Sequence, residues 1–281
     1  MNQLNAAKRS QVVAALVEGN SIRAVVRMTG IAKNTVVKLL AEIGTACEQY
    51  QNRMLRNLPC KRIQCDEIWQ FCYAKQKNVP ADKQGQFGTG DVWTWVALCA
   101  DTKLICSYKI GTRGASTGYA LMQDLAGRLA NRIQLTTDGH RVYADAVESA
   151  FGSDIDYAML VKLYGNDRES ETRYSPAECI GCKTAAISGH PNPRHISTSF
   201  VERQNLTMRM QMRRFTRLTN AFSKKIENHA HAVALHFMHY NFCRVHQTLR
   251  VTPAMEAGIS SRVWAIADIV KLIGSKVHNA A

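Results

Sequence analysis

The feature that most constrains this chain is the order of its apolar runs between residues 63 and 165. IQCDEIWQFCY, DVWTWVALCA and KLICSYKIG are rich in Val, Ile, Trp, Phe and Tyr and read as strands. Asp101-Thr102 between the last two predicts a hairpin. STGYALMQDLAGRLA follows as a helix, IQLTTD as a strand, YADAVESAF as a helix and DYAMLVKLYG as a fifth strand. With a later helix, the order is βββαβαβα. Such an order gives a mixed α/β sheet, with antiparallel hairpins first and then crossover units that make parallel neighbours.

The flanks are helical. KRSQVVAALVEG ends on Gly19, SIRAVVRMTG is capped by Ser21 and ended by Gly30, and IAKNTVVKLLAEIG is predicted to run to about Gly44. The second and third of these resemble a helix-turn-helix DNA reader; a plain three-helix packing unit is the alternative. In the DNA reading, Lys33, Asn34, Thr35 and Lys38 face the major groove or its flanking phosphates. TACEQYQNRMLRNLPC then reads as a helical link ended by Pro59. Residues 165–198 are polar and punctuated by Pro176, Gly181, Gly189, Pro191 and Pro193, an excursion from the core. The expected organisation is a small all-α unit over 1–45, a linker over 46–60, a mixed-sheet domain over 61–222 and a helical C-terminal region over 223–281.

Composition narrows the partner. Lys plus Arg number 36 against 22 Asp plus Glu, a net charge of +14. An excess of that size favours a polyanion, because basic side chains release counterions from a phosphate backbone. No apolar run is long enough to span a membrane. The opening MNQLNAAKRS has no apolar core or small-residue cleavage site. A cytoplasmic, nucleoid-associated chain is therefore expected, with its nine cysteines reduced.

Three acids fall at telling places in this pattern. Asp66 lies within the first strand, Asp138 ends the fourth, and Glu202 lies near the start of the helix TSFVERQNLTMRMQMRRF. The first and fourth strands of such an order can lie side by side, so two strand acids can converge while a later helix supplies the third. Alternation puts only one of Asp66 and Glu67 on a given face; Asp66 is preferred, with Glu67 as the alternative. Asp138-Gly139 could also be a plain turn dipeptide. Clustered carboxylates repel unless a cation neutralises them, and hard oxygen ligands suit Mg²⁺ or Mn²⁺, here as a pair of ions. From Arg203 to Lys225 there are seven Lys or Arg and no acid. Arg203, Arg213, Arg214 and Arg217 in this run are expected to meet DNA phosphates.

The segments CDEIWQFCYAKQKN, TTDGH, SFVERQN and HYNFCRVHQTLRVTPAMEAGI resemble the DDE-class transposases of the bacterial insertion sequence numbered one, over about residues 55 to 260. The resemblance implies a ribonuclease-H-like fold, divalent metal as cofactor and catalytic roles for Asp66, Asp138 and Glu202. Arg209, seven positions after Glu202 and so two turns along one helix face, matches the class's basic phosphate-binding residue. The implied activity is cleavage of double-stranded DNA at terminal inverted repeats and joining of the 3′ ends to target DNA, by a homodimer or larger synaptic assembly. A nuclease that hydrolyses without joining is the nearest alternative, and a DNA-binding repressor with an inactive catalytic domain is the non-enzymatic one. The chain departs from the pattern in having only Cys47 among its first 59 residues, where the family often carries a cysteine zinc module. Cys179 and Cys182, with His190 and His195 nearby in sequence, are an alternative zinc-binding set.

Overall fold

The computed structural model describes residues 4–165, 179–216 and 220–274. Strands β1 (Arg62–Cys72), β2 (Gly90–Cys99) and β3 (Ile105–Gly111) form an antiparallel meander. β4 (Gln134–Thr137) adds parallel to β1, and β5 (Asp156–Tyr164) parallel to β4. The spatial order is β3-β2-β1-β4-β5-β6, with β6 (Cys179–Ser188) at the edge beside β5. This is the mixed α/β sheet expected from the order of the elements.

Side-chain alternation divides the core between the two faces of this sheet. Ile63, Cys65, Trp95, Ala97 and Cys99 point to one face, covered by α4 (Ala115–Ala126) and α5 (Val142–Phe151) through Leu121, Met122, Leu125, Tyr143 and Val147. Ile68, Val96 and Leu98 point to the other, covered by α6 (Ser199–Gln211) and α7 (Ile226–Phe242) through Val201, Met208, Val233 and Phe237. Six cysteines (47, 60, 65, 72, 99 and 106) are buried free thiols acting as small core residues.

The N-terminal helices α1 (Ala6–Val17), α2 (Ile22–Thr29) and α3 (Lys33–Met54) share a small core of Val12, Val25, Ile31, Val36 and Leu39. Here the structure differs from the sequence expectation. α3 does not end at Gly44 but runs on to Met54, 22 residues in all, and its second half lies along α7. Gly44 is a packing residue: a Cβ there would sit 2.4 Å from His231 Cβ and 2.6 Å from His231 Cα. The glycine lets two helix backbones approach, a need that looks in sequence like a helix stop. Gly19, in the left-handed region at φ 77°, makes a second close approach, because a Cβ there would meet the Gln211 carbonyl oxygen at 2.4 Å. The turn after α1 therefore rests on the end of α6. Farther along, α8 (Pro253–Glu256) starts at the Thr252 cap, and α9 (Ile266–Lys271) packs on α1.

The expected β2–β3 hairpin is present, its connection a loop over 100–104 that includes Asp101 and Thr102 and has Lys103 at φ 60°. One further departure concerns the sheet. Within the supposed excursion, Cys179–Ser188 forms β6, antiparallel to β5. Nearly every residue of β6 is exposed, so it carries no apolar alternation for sequence reading to detect. Among the described residues no helix is long and apolar enough to cross a membrane.

Candidate metal centre

The register of β1 and β4 brings two acids together. Cys65 pairs with Thr137, so Asp66 and Asp138 follow side by side where β4 ends. Asp138 Oδ1 accepts the His140 amide at 3.0 Å, and the Thr137 hydroxyl donates to the Asp138 carbonyl at 2.9 Å. Asp66 Oδ1 accepts the Glu67 amide at 2.8 Å, and its Oδ2 accepts Asn205 Nδ2 of α6, also at 2.8 Å. Glu67 points to the opposite sheet face yet still reaches the cluster, because β4 stops at Thr137 and leaves Asp138 at the rim between faces. One oxygen from each of Asp66, Glu67 and Asp138 lies within 4.8 Å of the others.

Glu67 is the more buried of the adjacent acids, its side chain 1% exposed. Oε2 accepts Arg113 Nε at 3.3 Å, while Oε1 is buried without a hydrogen-bond partner. The Tyr143 hydroxyl interacts with this carboxylate without ordinary hydrogen-bond geometry. Burial first, and the Asp138 charge second, push Glu67 up to about 7 and Asp66 up to about 6. An unpartnered buried carboxylate oxygen among crowded hard donors is a donor set that a divalent cation fits.

The two shifts make stability depend on pH. Both carboxyls bind protons more tightly in the folded chain than at their ordinary values of 3.8 and 4.5. Their contribution is full below those values and is lost as pH rises through about 6 and 7. Asp138→Asn removes a leading cause of both shifts. In chelator its unfolding midpoint should exceed the parent's by roughly 2–5 °C near pH 8, on the order of 1–2 kcal/mol, with the gap closing by about pH 4. A gap independent of pH in thermal melts would remove the repulsion argued here.

The other expected site residues distribute unevenly. α6 is anchored beside Asp66 by Gln64, whose Oε1 accepts the Phe200 and Val201 amides at 2.9 and 3.1 Å. Glu202 on its first turn is nevertheless outside the group of three: Thr198 Oγ1 donates to it at 2.6 Å, and Lys162 of β5 pairs with its other oxygen. Arg209, half-buried, donates to the Phe215 carbonyl at 3.4 Å. Lys33, Asn34, Thr35 and Lys38 are all exposed at the start of α3, and Arg203 and Arg213 are exposed as well. Arg214 differs: it turns inward, donates to Ser223 Oγ at 2.6 Å, and burial lowers its pKa. Its expected role at a DNA phosphate conflicts with this orientation. Arg217 lies outside the described residues. Cys179 and Cys182 are exposed on β6, and His195 is taken up by Arg62 at 2.9 Å. Among the described residues the acidic trio is the one cluster with metal-ligand geometry.

No protein-family model matches the sequence, and no curated protein gives a significant match. Among solved structures the chain is similar to a piggyBac transposase synaptic complex with hairpin DNA, at 9% identity and a TM-score of 0.45, over 97% of this chain and 71% of that one. It is also similar to a Mos1 transposase paired-end complex with left transposon end, at 13% identity and a TM-score of 0.22, over 53% and 58% of the two chains. A Mos1 mariner paired-end complex with Mn gives 12% identity and a TM-score of 0.21, over 53% and 57%. These likenesses are weak in sequence and in superposition. The functional reading rests on the geometry of the acidic cluster.

Sequence reasoning missed Arg113, Asn205 and Lys162, and held Glu67 only as an alternative. Asn205 had a signal, since it lies three residues after Glu202 and so on the same side of α6. Arg113 and Lys162 had none, because only tertiary pairing brings them to the acids.

Proposed function

We propose that the protein is a transposase of the DDE class that cleaves DNA at terminal inverted repeats and joins the 3′ ends to target DNA. The observation that carries this reading is the meeting of Asp66, inside β1, with Asp138, just past the end of the parallel neighbour β4, with Glu67 closing the group. Asp66, Asp138 and Glu202, with Glu67 beside them, would hold Mg²⁺ or Mn²⁺, as two ions. Such ions activate an attacking water or hydroxyl and stabilise the leaving phosphate oxygen. The remaining work falls to the chain. Asn205 orients Asp66, Gln64 fixes the start of α6, and Arg209 binds a phosphate near the reacting strand. Residues 1–45 read the DNA end through Lys33, Asn34, Thr35 and Lys38, and a homodimer or larger assembly pairs two ends. The direct test supplies labelled ends and target DNA with Mg²⁺. Joined product is expected; hydrolysis without joining would reassign the protein as a nuclease.

The basic run supplies affinity without sequence preference. Arg203→Ala with Arg213→Ala should weaken binding to all duplexes alike and reduce the slope of log affinity against log salt by roughly 1.8, about 0.9 for each phosphate no longer neutralised. An unchanged slope would make these arginines a merely solvated face. Arg214→Ala should instead lower the unfolding midpoint, because its guanidinium is inside the protein.

A further inference from the structure

Glu202 stands apart from the acidic trio because other groups hold it. Lys162 Nζ pairs with Oε2 and Thr198 Oγ1 donates to Oε1, so both oxygens are engaged. Lys162 itself sits in the outer half of β5. β4 pairs with β5 only as far as Met159, so among the described residues Leu160–Tyr164 have β6 as their one strand neighbour, with Lys162 opposite Cys182. A two-stranded ribbon beyond the edge of a sheet is weakly constrained, which leaves its side chains room to move. The described residues of this ribbon, 160–164 and 179–184, include Lys162 and Lys183 and no acid. A phosphate is therefore a fitting alternative partner for Lys162.

An ammonium and a divalent cation compete for the same carboxylate. We infer that Lys162 is a positioning residue: it keeps Glu202 out of the carboxylate cluster in the free protein, and DNA phosphate draws it away as Glu202 joins the cluster. The inference rests on the metal reading of the site. It also gives DNA and metal a shared switch, since whatever engages Lys162 raises cation affinity, and the reverse follows by linkage.

A double-mutant cycle on the full chain tests it, with Mn²⁺ binding followed by electron paramagnetic resonance. Lys162→Met should tighten Mn²⁺ binding about tenfold when Glu202 is present and less than about twofold in the Glu202→Gln background. Lys162→Arg, which retains the charge, should bind as the parent does and controls for folding of the ribbon. Equal gains in the two backgrounds would give Lys162 only a general field effect and overturn the inference while leaving the metal site standing. Failure of every form to bind Mn²⁺ would overturn the metal reading itself.

Discussion

Asp138→Asn protein is expected to bind terminal-repeat DNA at least as tightly as the parent while losing cleavage and joining on the order of 10³-fold or more, equivalent to about 4 kcal/mol of barrier. The substitution keeps nearly the same volume. It retains an oxygen that can accept the His140 amide, now 3.0 Å from Asp138 Oδ1, so the turn after β4 should persist. What disappears is the negative charge between Asp66 and Glu67. The acidic trio then becomes a poor cation site, and Asp66 and Glu67 lose a neighbour that repels them. DNA affinity is maintained or improved because one anion near the phosphate path is gone. Gel shifts with terminal-repeat duplex and Mg²⁺-dependent strand transfer on labelled ends measure the two properties separately. Full strand transfer by this variant would remove Asp138 from the chemistry.

The second large effect lies at the other end of the chain. Asn34→Ala combined with Lys38→Ala should reduce discrimination between terminal repeat and random duplex by about 1–3 kcal/mol for each base no longer read. Both side chains are exposed on the first turns of α3, outside the small core formed by Val12, Val25, Ile31, Val36 and Leu39. Lys38 has an ion pair with Glu42 at 3.9 Å, but that pair is exposed and contributes little to folding. The variant should therefore fold normally and still nick a pre-loaded end. Competition gel shifts report the specificity ratio. An unchanged ratio would assign the three-helix unit to packing and move end recognition elsewhere.

The sheet is legible in sequence because its central strands are buried on both faces and carry near-continuous apolar runs. Ile63, Cys65, Ile68, Trp95, Val96 and Leu98 are all at or below 1% exposure. β6 is not legible, since an exposed edge strand is held by backbone pairing that leaves no mark in side-chain pattern. Gly44 and Gly139 mislead in the same way: each looks like local punctuation and each serves a distant approach. At Gly139 a Cβ would lie 2.7 Å from Val161 Cγ2, so the glycine after Asp138 admits β5 alongside the rim. Asp66 and Asp138 can be proposed together because strand order alone puts their strands side by side. The membership of Glu67 cannot, because it depends on where β4 ends, and alternation argues against two consecutive residues sharing one site. The ion pair of Lys162 with Glu202 spans 40 positions and has no local signature at all.

The most direct test of the metal centre is a Mn²⁺ titration at neutral pH, comparing the parent with the Asp66→Asn, Asp138→Asn double variant and following the free-ion signal by electron paramagnetic resonance. The parent should deplete free Mn²⁺ and release it on acidification, as protons compete with the ion for the carboxyls. The double variant should leave the ion free throughout. Identical titrations for the two proteins would contradict the claim that this acidic cluster is a metal centre.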